Sequence, residues 1–381
     1  MLTRVRWALV CIVGLAGPAV AFGVPASLPP WQAQPLRAPG GVSSAYAAAV
    51  ERYASGDRDG AVAALGALPE EQQRREVEVL VALAKRSNAS ADSVAWRQSP
   101  AAAALMLHTD AAIAQRTDAA SVRLQESLAN ELAQALTDDP ERHGFARRWY
   151  RVMAELALAE TRWDDALAWT GRGLDAFPGT AELLLVEGAI EEGVSSQQAS
   201  RTSGDVFDPS GVQTRANLAR WREARQRLER ARDLLREAVA AEPALHDARL
   251  RLGRVAWRLG DAKQARAAFD VVLSQSASRY AAFLAHLFRG RLDEDAGRLE
   301  DAVRGYESAL ALDPASQSAR LALSHARLRL GDPAAARLEA EAALAPAPRS
   351  QSPDSYWVYP WGPAEGVESR LEALRAEASS R

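Results

Sequence analysis

The chain has 381 residues, with 46 Lys+Arg against 49 Asp+Glu and a formal net charge of -3. That balance excludes a nucleic-acid binder that relies on a basic excess, and 48% hydrophobic with 25% charged residues excludes global disorder. Alanine accounts for 81 positions, and 44 arginines stand beside only two lysines, Lys85 and Lys263. Alanine is the best helix former and lets helices approach closely, so the composition predicts an all-α protein.

Met1 to Trp7 carries Arg4 and Arg6, and Ala8 to Phe22 is an uncharged, largely apolar run ending in Ala19-Val20-Ala21. A basic start, a short apolar stretch and an A-x-A site make up a secretory signal peptide. The run falls short of the roughly 20 residues of a spanning helix, and Pro18 interrupts it. Residues 1–21 are therefore predicted to be a signal, cleaved after Ala21 or retained as an anchor, which places the protein in the periplasm or outside the cell. The sole cysteine, Cys11, lies within the signal, so a cleaved chain has no disulfide, thiol nucleophile or Cys-based metal site. Residues 22–41, rich in Pro, Gly, Ala and Gln, are expected to form a flexible leader.

Beyond the leader the chain repeats. Ala231 and Ala265 are 34 residues apart, and so are Ala302 and Ala336; Ala265 and Ala302 are 37 apart, with the excess placed at Ser276-Ala277-Ser278. Leu235, Phe269 and Tyr306 follow their alanines by four residues, and Ala238, Val272, Ala309 and Ala343 follow by seven, which makes one stripe on a second helix. Gly253 and Gly290 fall where the two helices of a unit should touch. Gly56-Asp57, Gly260-Asp261 and Gly331-Asp332-Pro333 supply a left-handed C′ glycine followed by an N-cap. Phe177-Pro178, Glu242-Pro243 and Asp313-Pro314 close second helices.

This 34-residue unit resembles the tetratricopeptide (TPR) repeat. Gly290, Gly297, Ala302, Tyr306, Ala309 and Pro314 fall on the family's marker positions in residues 283–316. Further copies span 147–179, 246–278 and 317–346, and Val42 to Leu68 reads as a degenerate first unit. The aromatic usual early in the first helix is replaced by Arg249, His286 and Arg320, and Ser324 occupies a close-contact position. The resemblance implies a right-handed α-solenoid of helix–turn–helix repeats over residues 42–345. Ala61 to Ala166 is 105 residues, three units plus three, so Pro69 to Asp139 is expected to hold degenerate pairs. Ala166 to Ala231 is 65 residues, and the surplus is assigned to a polar insertion at about 191–217, read as a loop that in part lengthens the helix Leu218–Ala240. Residues 346–381 form a Pro/aromatic tail and a terminal helix over Ala364–Ala378; its aromatics, Tyr356, Trp357, Tyr359 and Trp361, are expected to cap the last repeat against Leu328 and Leu338, or else to dock a partner.

Catalytic patterns are absent from the sequence. It contains no G-x-x-x-x-G-K-[ST], H-E-x-x-H, G-x-S-x-G or EF-hand loop. The five histidines are dispersed, with none at a metal-type spacing. The acidic pairs Asp138-Asp139, Asp164-Asp165 and Glu191-Glu192 read as acids of helix starts or loops, capping and dipole compensation explaining the first two. The arginines of Leu218–Ala240 alternate with Glu223, Glu229, Asp233 and Glu237, as on a salt-bridged exposed face. The expected protein is a non-catalytic scaffold without cofactor or metal. It would bind a protein or peptide, of acidic character, along a concave surface lined by Arg254, Trp257, Arg258, Arg291, Glu294, His325 and Arg329. No nucleic acid is expected, and no membrane beyond the export signal. A structural component of an envelope complex, touching partners through its ends or tail, is the alternative; an enzyme with an unrecognised site is a remote one.

Overall fold

The computed structural model describes residues 42–88, 101–137, 143–202, 212–345 and 354–379; the side chains of 84–88, 197–202, 212–217 and Trp361 fall outside the description. The signal, the leader and the linker 346–353 also lie outside the described residues. Among those described there are seventeen α-helices, one 3-10 turn and no strand.

The helices form consecutive antiparallel pairs. They are α1 (Ser44–Ala54) with α2 (Arg58–Gly66), then α3 (Glu70–Asn88), α4 (Ala101–Ala114) with α5 (Ala119–Thr137), and α6 (His143–Ala159) with α7 (Trp163–Ala176). There follow α8 (Ala181–Thr202) with α9 (Val212–Ala241), α10 (His246–Arg258) with α11 (Ala262–Gln275), α12 (Arg279–Asp295) with α13 (Leu299–Leu312), and α14 (Gln317–Arg329) with α15 (Pro333–Leu344). Each second helix packs on the next first helix, and the first helices α6, α8, α10, α12 and α14 also touch in sequence. This is an α-solenoid whose inner face is built from first helices.

The repeat spacing marks its seams. Ala61, Ala166, Ala231, Ala265, Ala302 and Ala336 are all buried on second helices. A Cβ on Gly290 would come within 2.7 Å of Tyr306 Cε1 and 3.2 Å of the Ala302 carbonyl oxygen, so α12 meets α13 with no room for a side chain. Gly56, Gly260, Gly297 and Gly331 turn between paired helices at φ of 95°, 91°, 75° and 86°. The side chains of Asp57, Asp261 and Asp332 then accept the backbone N–H of Gly60, Gln264 and Ala335, capping the second helices. In the α6–α7 turn Thr161 takes the glycine's place at φ 59°.

Two expectations are corrected. The polar insertion is largely helical: α8 continues to Thr202 and α9 begins at Val212, so the surplus residues lengthen one hairpin. Polarity suggested a loop, but Glu191, mid-helix, takes Arg227 and Arg230 from α9, and Ser195 donates to the Ala224 carbonyl at 2.8 Å. The aromatic tail does not cap the last repeat. Leu328 and Leu338 remain 57% and 61% exposed and Trp357 62%. The tail turns back instead. Helix α16 (Ser355–Val358), the 3-10 turn Tyr359–Ala364 and α17 (Val367–Ser379) pack mainly on α12, α8, α6, α4 and α1, all first helices. Covering the inner face buries Val367, Leu371, Leu374 and Ala378, one stripe of α17, which the end of the stack could not do for so long a segment.

Candidate functional site

The inner face carries one carboxylate on each of several successive first helices: Asp110 on α4, Glu155 on α6, Glu192 on α8 and Glu294 on α12. All four residues are buried. Asp110 accepts from the Tyr53 hydroxyl at 2.6 Å and from Arg375 of the tail. Glu155 is bonded by Arg151 at 2.8 Å and by Arg370 of the tail, Nε at 2.7 Å. Burial raises the Glu155 carboxyl above its ordinary value, against the pull of Arg151 and Arg370. Burial would also raise Glu192, but Arg254, Arg251 and Arg258 outweigh it and hold this carboxyl below the usual range.

Tyr359 plugs the middle of this face. Its ring lies edge-on to Phe288, with centroids 5.3 Å apart, and beneath the guanidinium groups of Arg251 at 4.3 Å and Arg254 at 4.8 Å. Its hydroxyl donates to Glu192, with oxygens 3.0 and 3.1 Å away, and its carbonyl accepts from Arg251 Nη2 at 2.7 Å. Tyr356 packs edge-on to Phe288 at 6.2 Å, and Asp354 anchors the segment by accepting the Ser318 N–H at 2.7 Å.

Beside the tail the inner face stays open as a cleft of about 370 Å3, lined by Arg254, Trp257, Arg258, Phe288, Arg291 and Tyr356 among others. Of the seven groove residues expected from sequence, these four, Arg254, Trp257, Arg258 and Arg291, come together here. Glu294 does not face the cleft as a free carboxylate; it is 1% exposed and holds the Tyr306 hydroxyl at 2.7 Å, with His325 and Arg329 closing over it. The hydrogen bonds of Arg258 run to the Ser195 and Ser196 hydroxyls at 3.2 and 2.8 Å and to the Glu192 carbonyl at 3.3 Å, all neutral oxygens. Burial lowers its guanidinium below the ordinary value, opposed by Glu192. Sequence reasoning missed Asp110, Glu155, Glu192, Arg370 and Arg375. The two arginines of the terminal helix, Arg370 and Arg375, were the available signal. Among the described residues no group of three or more His, Cys, Asp or Glu side chains is placed to hold a metal ion.

A sequence model of the tetratricopeptide repeat family matches residues 223–287, from mid-α9 into α12. Residues 223–287 thus carry tetratricopeptide repeats. Among solved structures, one of the protein MamA is 17% identical, covering 52% of this chain and 90% of its own, with a TM-score of 0.38. Another, of MamA from Desulfovibrio magneticus RS-1, is 18% identical over 52% of this chain and 93% of its own, also at 0.38. No curated protein matches.

Proposed function

We propose that this protein is an exported, non-catalytic scaffold that takes an acidic peptide segment of a protein partner into the open cleft of its concave face. The carrying observation is Arg258, a partly buried cation whose hydrogen bonds among the described residues run to neutral oxygens, at the wall of a cleft that Arg254 and Arg291 also line. An incoming carboxylate would pair with it at little further desolvation cost, and Trp257 and Phe288 offer apolar area for the adjoining side chain. The test is a titration of a fluorescent peptide alternating glutamate and leucine. Arg258→Ala or Arg291→Ala should weaken binding about 10- to 100-fold, the range of a charged hydrogen bond. Arg304→Ala, on α13 outside the cleft, should leave it unchanged. No binding to the wild-type chain, or equal loss in all three variants, contradicts the reading.

Export rests on Arg4, Arg6, the apolar run and Ala19-Val20-Ala21. No helix among the described residues is long and apolar enough to cross a membrane. N-terminal sequencing of the protein from its native host should begin at Phe22; an intact Met1 in the cytoplasmic fraction rejects export. One observation favours the second reading, contact through an end of the stack: Leu321, Leu328, Leu330, Leu338 and Leu344 of the last pair are all exposed. Replacing Leu338 and Leu344 with glutamate would abolish an end-on complex while sparing cleft binding.

A further inference from the structure

We propose that the concave face of α4, α6 and α8 is a binding site for an amphipathic helix that carries arginines and is led in by a tyrosine, and that residues 354–379 occupy this site in cis. A partner segment of that chemistry would then compete with the tail. This site adjoins the cleft described above, which Tyr356 of the tail helps to line, and differs from it in charge: carboxylates meet the tail, whereas arginines line the cleft.

Three observations support it. First, the occupant is in register with the face: Tyr359 meets Glu192, Arg370 meets Glu155 and Arg375 meets Asp110, so successive tail residues meet one carboxylate on each of three successive first helices. The apolar stripe Val367, Leu371, Leu374 and Ala378 lies between them. This is helix-in-groove recognition, with tyrosine and arginine as anchors and the stripe as complementary area.

Second, each carboxylate of the face keeps a hydrogen-bond donor without the tail, a cation for Glu155 and Glu192 and a hydroxyl for Asp110. Asp110 retains the Tyr53 hydroxyl at 2.6 Å, Glu155 retains Arg151 at 2.8 Å, and Glu192 retains Arg251 and Arg254. Release of residues 354–379 thus leaves none of the three carboxylates without a hydrogen-bond donor. A core element whose removal left unpaired buried charges would cost several times more. Third, the outermost ion pairs of the terminal helix, Arg58 with Glu372 at 3.0 Å and Arg148 with Glu377 at 2.7 Å, lie at the rim and are of the kind that orients a docked helix and contributes little to its retention.

Tethering gives the resident segment an effective concentration of about millimolar. A free segment with equal contacts would therefore be held off until the tether is cut, its concentration exceeds that value, or it gains contacts elsewhere.

The test uses the full chain with a protease recognition sequence inserted between Ser350 and Gln351. The probe is a fluorescein-labelled peptide of residues 354–379. Before cleavage the probe should bind at least 100-fold more weakly than after it, because the cis segment holds the site. After cleavage and dilution the probe should exchange with the nicked tail and bind saturably, with the helical signal of the solenoid retained. Probes carrying Tyr359→Ala or Arg375→Glu should bind at least tenfold more weakly than the parent. The proposal is overturned by a nicked tail that never exchanges, by unfolding of the solenoid as the tail leaves, or by equal binding of parent and variant probes. Failure of the acidic cleft peptide to bind would leave each of these outcomes unaffected.

Discussion

Replacing Tyr359 should loosen the tail without dismantling the stack. The residue is 2% exposed, and its ring touches Phe288, Arg251 and Arg254 while its hydroxyl meets Glu192. Burial first, and Glu192 second, push the phenol well above its usual pKa, so it stays a donor at all physiological pH. Tyr359→Phe removes only that donor. Glu192 keeps Arg251 and Arg254, so the cost is a single hydrogen bond to a charged group, about 1.5–3 kcal/mol. Tyr359→Ala removes the ring as well, and large-to-small substitution of a buried aromatic costs about 3–5 kcal/mol. The loss should fall on tail docking: limited proteolysis would cut within 354–379 at least tenfold faster in Tyr359→Ala, with Tyr359→Phe intermediate, while cleavage within the second helices α11 and α13 keeps its wild-type rate. Equal protection of the tail in all three proteins would refute the placement of Tyr359 as its anchor.

Gly290→Leu should destabilise the chain by about 3 kcal/mol, the upper end of overpacking, because its Cβ alone would press on Tyr306, whose hydroxyl is fixed by Glu294; an unchanged urea midpoint contradicts this. Thr161→Gly should stabilise by about 1 kcal/mol, since a β-branched residue at φ 59° is strained and the four equivalent turns use glycine; a lower melting temperature would show that the Thr side chain contributes something else. His108 is fully buried, donating from Nδ1 to Gln125 Oε1 at 2.6 Å and accepting at Nε2 from the Tyr46 hydroxyl at 2.9 Å, and burial holds its pKa down to about 4 against 6.5. Above 6.5 the imidazole is neutral whether the chain is folded or not. Between 6.5 and 4 only the unfolded chain takes the proton, so stability should fall by up to about 3 kcal/mol as pH drops through that window. In His108→Gln, the pH dependence of unfolding should be flatter by that amount, and identical slopes would contradict it.

Much of the stack was legible because its determinants are local. Alanine every 34 residues marks where second helices touch their neighbours, and Gly-Asp pairs mark turns that need a left-handed residue followed by a cap. Gly290 was readable for the same reason, whereas its partner Gly305, whose Cβ would lie 2.9 Å from the Gly290 Cα, falls outside the marker pattern. The inner face was read in part. Arg254, Trp257, Arg258 and Arg291 do share one cleft, because helical periodicity projects them to one side. Glu294 was misjudged: its sequence position is groove-facing, but Tyr306, His325 and Arg329 converge on it from other helices. The tail was the larger miss. Its contacts join residues more than 100 positions apart, as Arg251 with Tyr359 and Arg375 with Asp110 do, and no periodicity encodes such pairs. Glu192 was hidden twice, since the polar sequence around it suggested a loop and its three arginine neighbours lie beyond that segment.

Hydrogen exchange followed by mass spectrometry on the intact chain tests most directly whether the concave face is a binding surface with a separable occupant. Residues 354–379 should exchange as one cooperative unit, at least tenfold faster than α11 and α13 and more slowly than an unfolded peptide, with Tyr359→Ala accelerating only that unit and the faces of α4, α6, α8, α10 and α12 beneath it. Exchange of residues 354–379 in step with α11 and α13, through global unfolding alone, would show the tail to be a permanent part of the core and would contradict the occupied-groove structure of this solenoid.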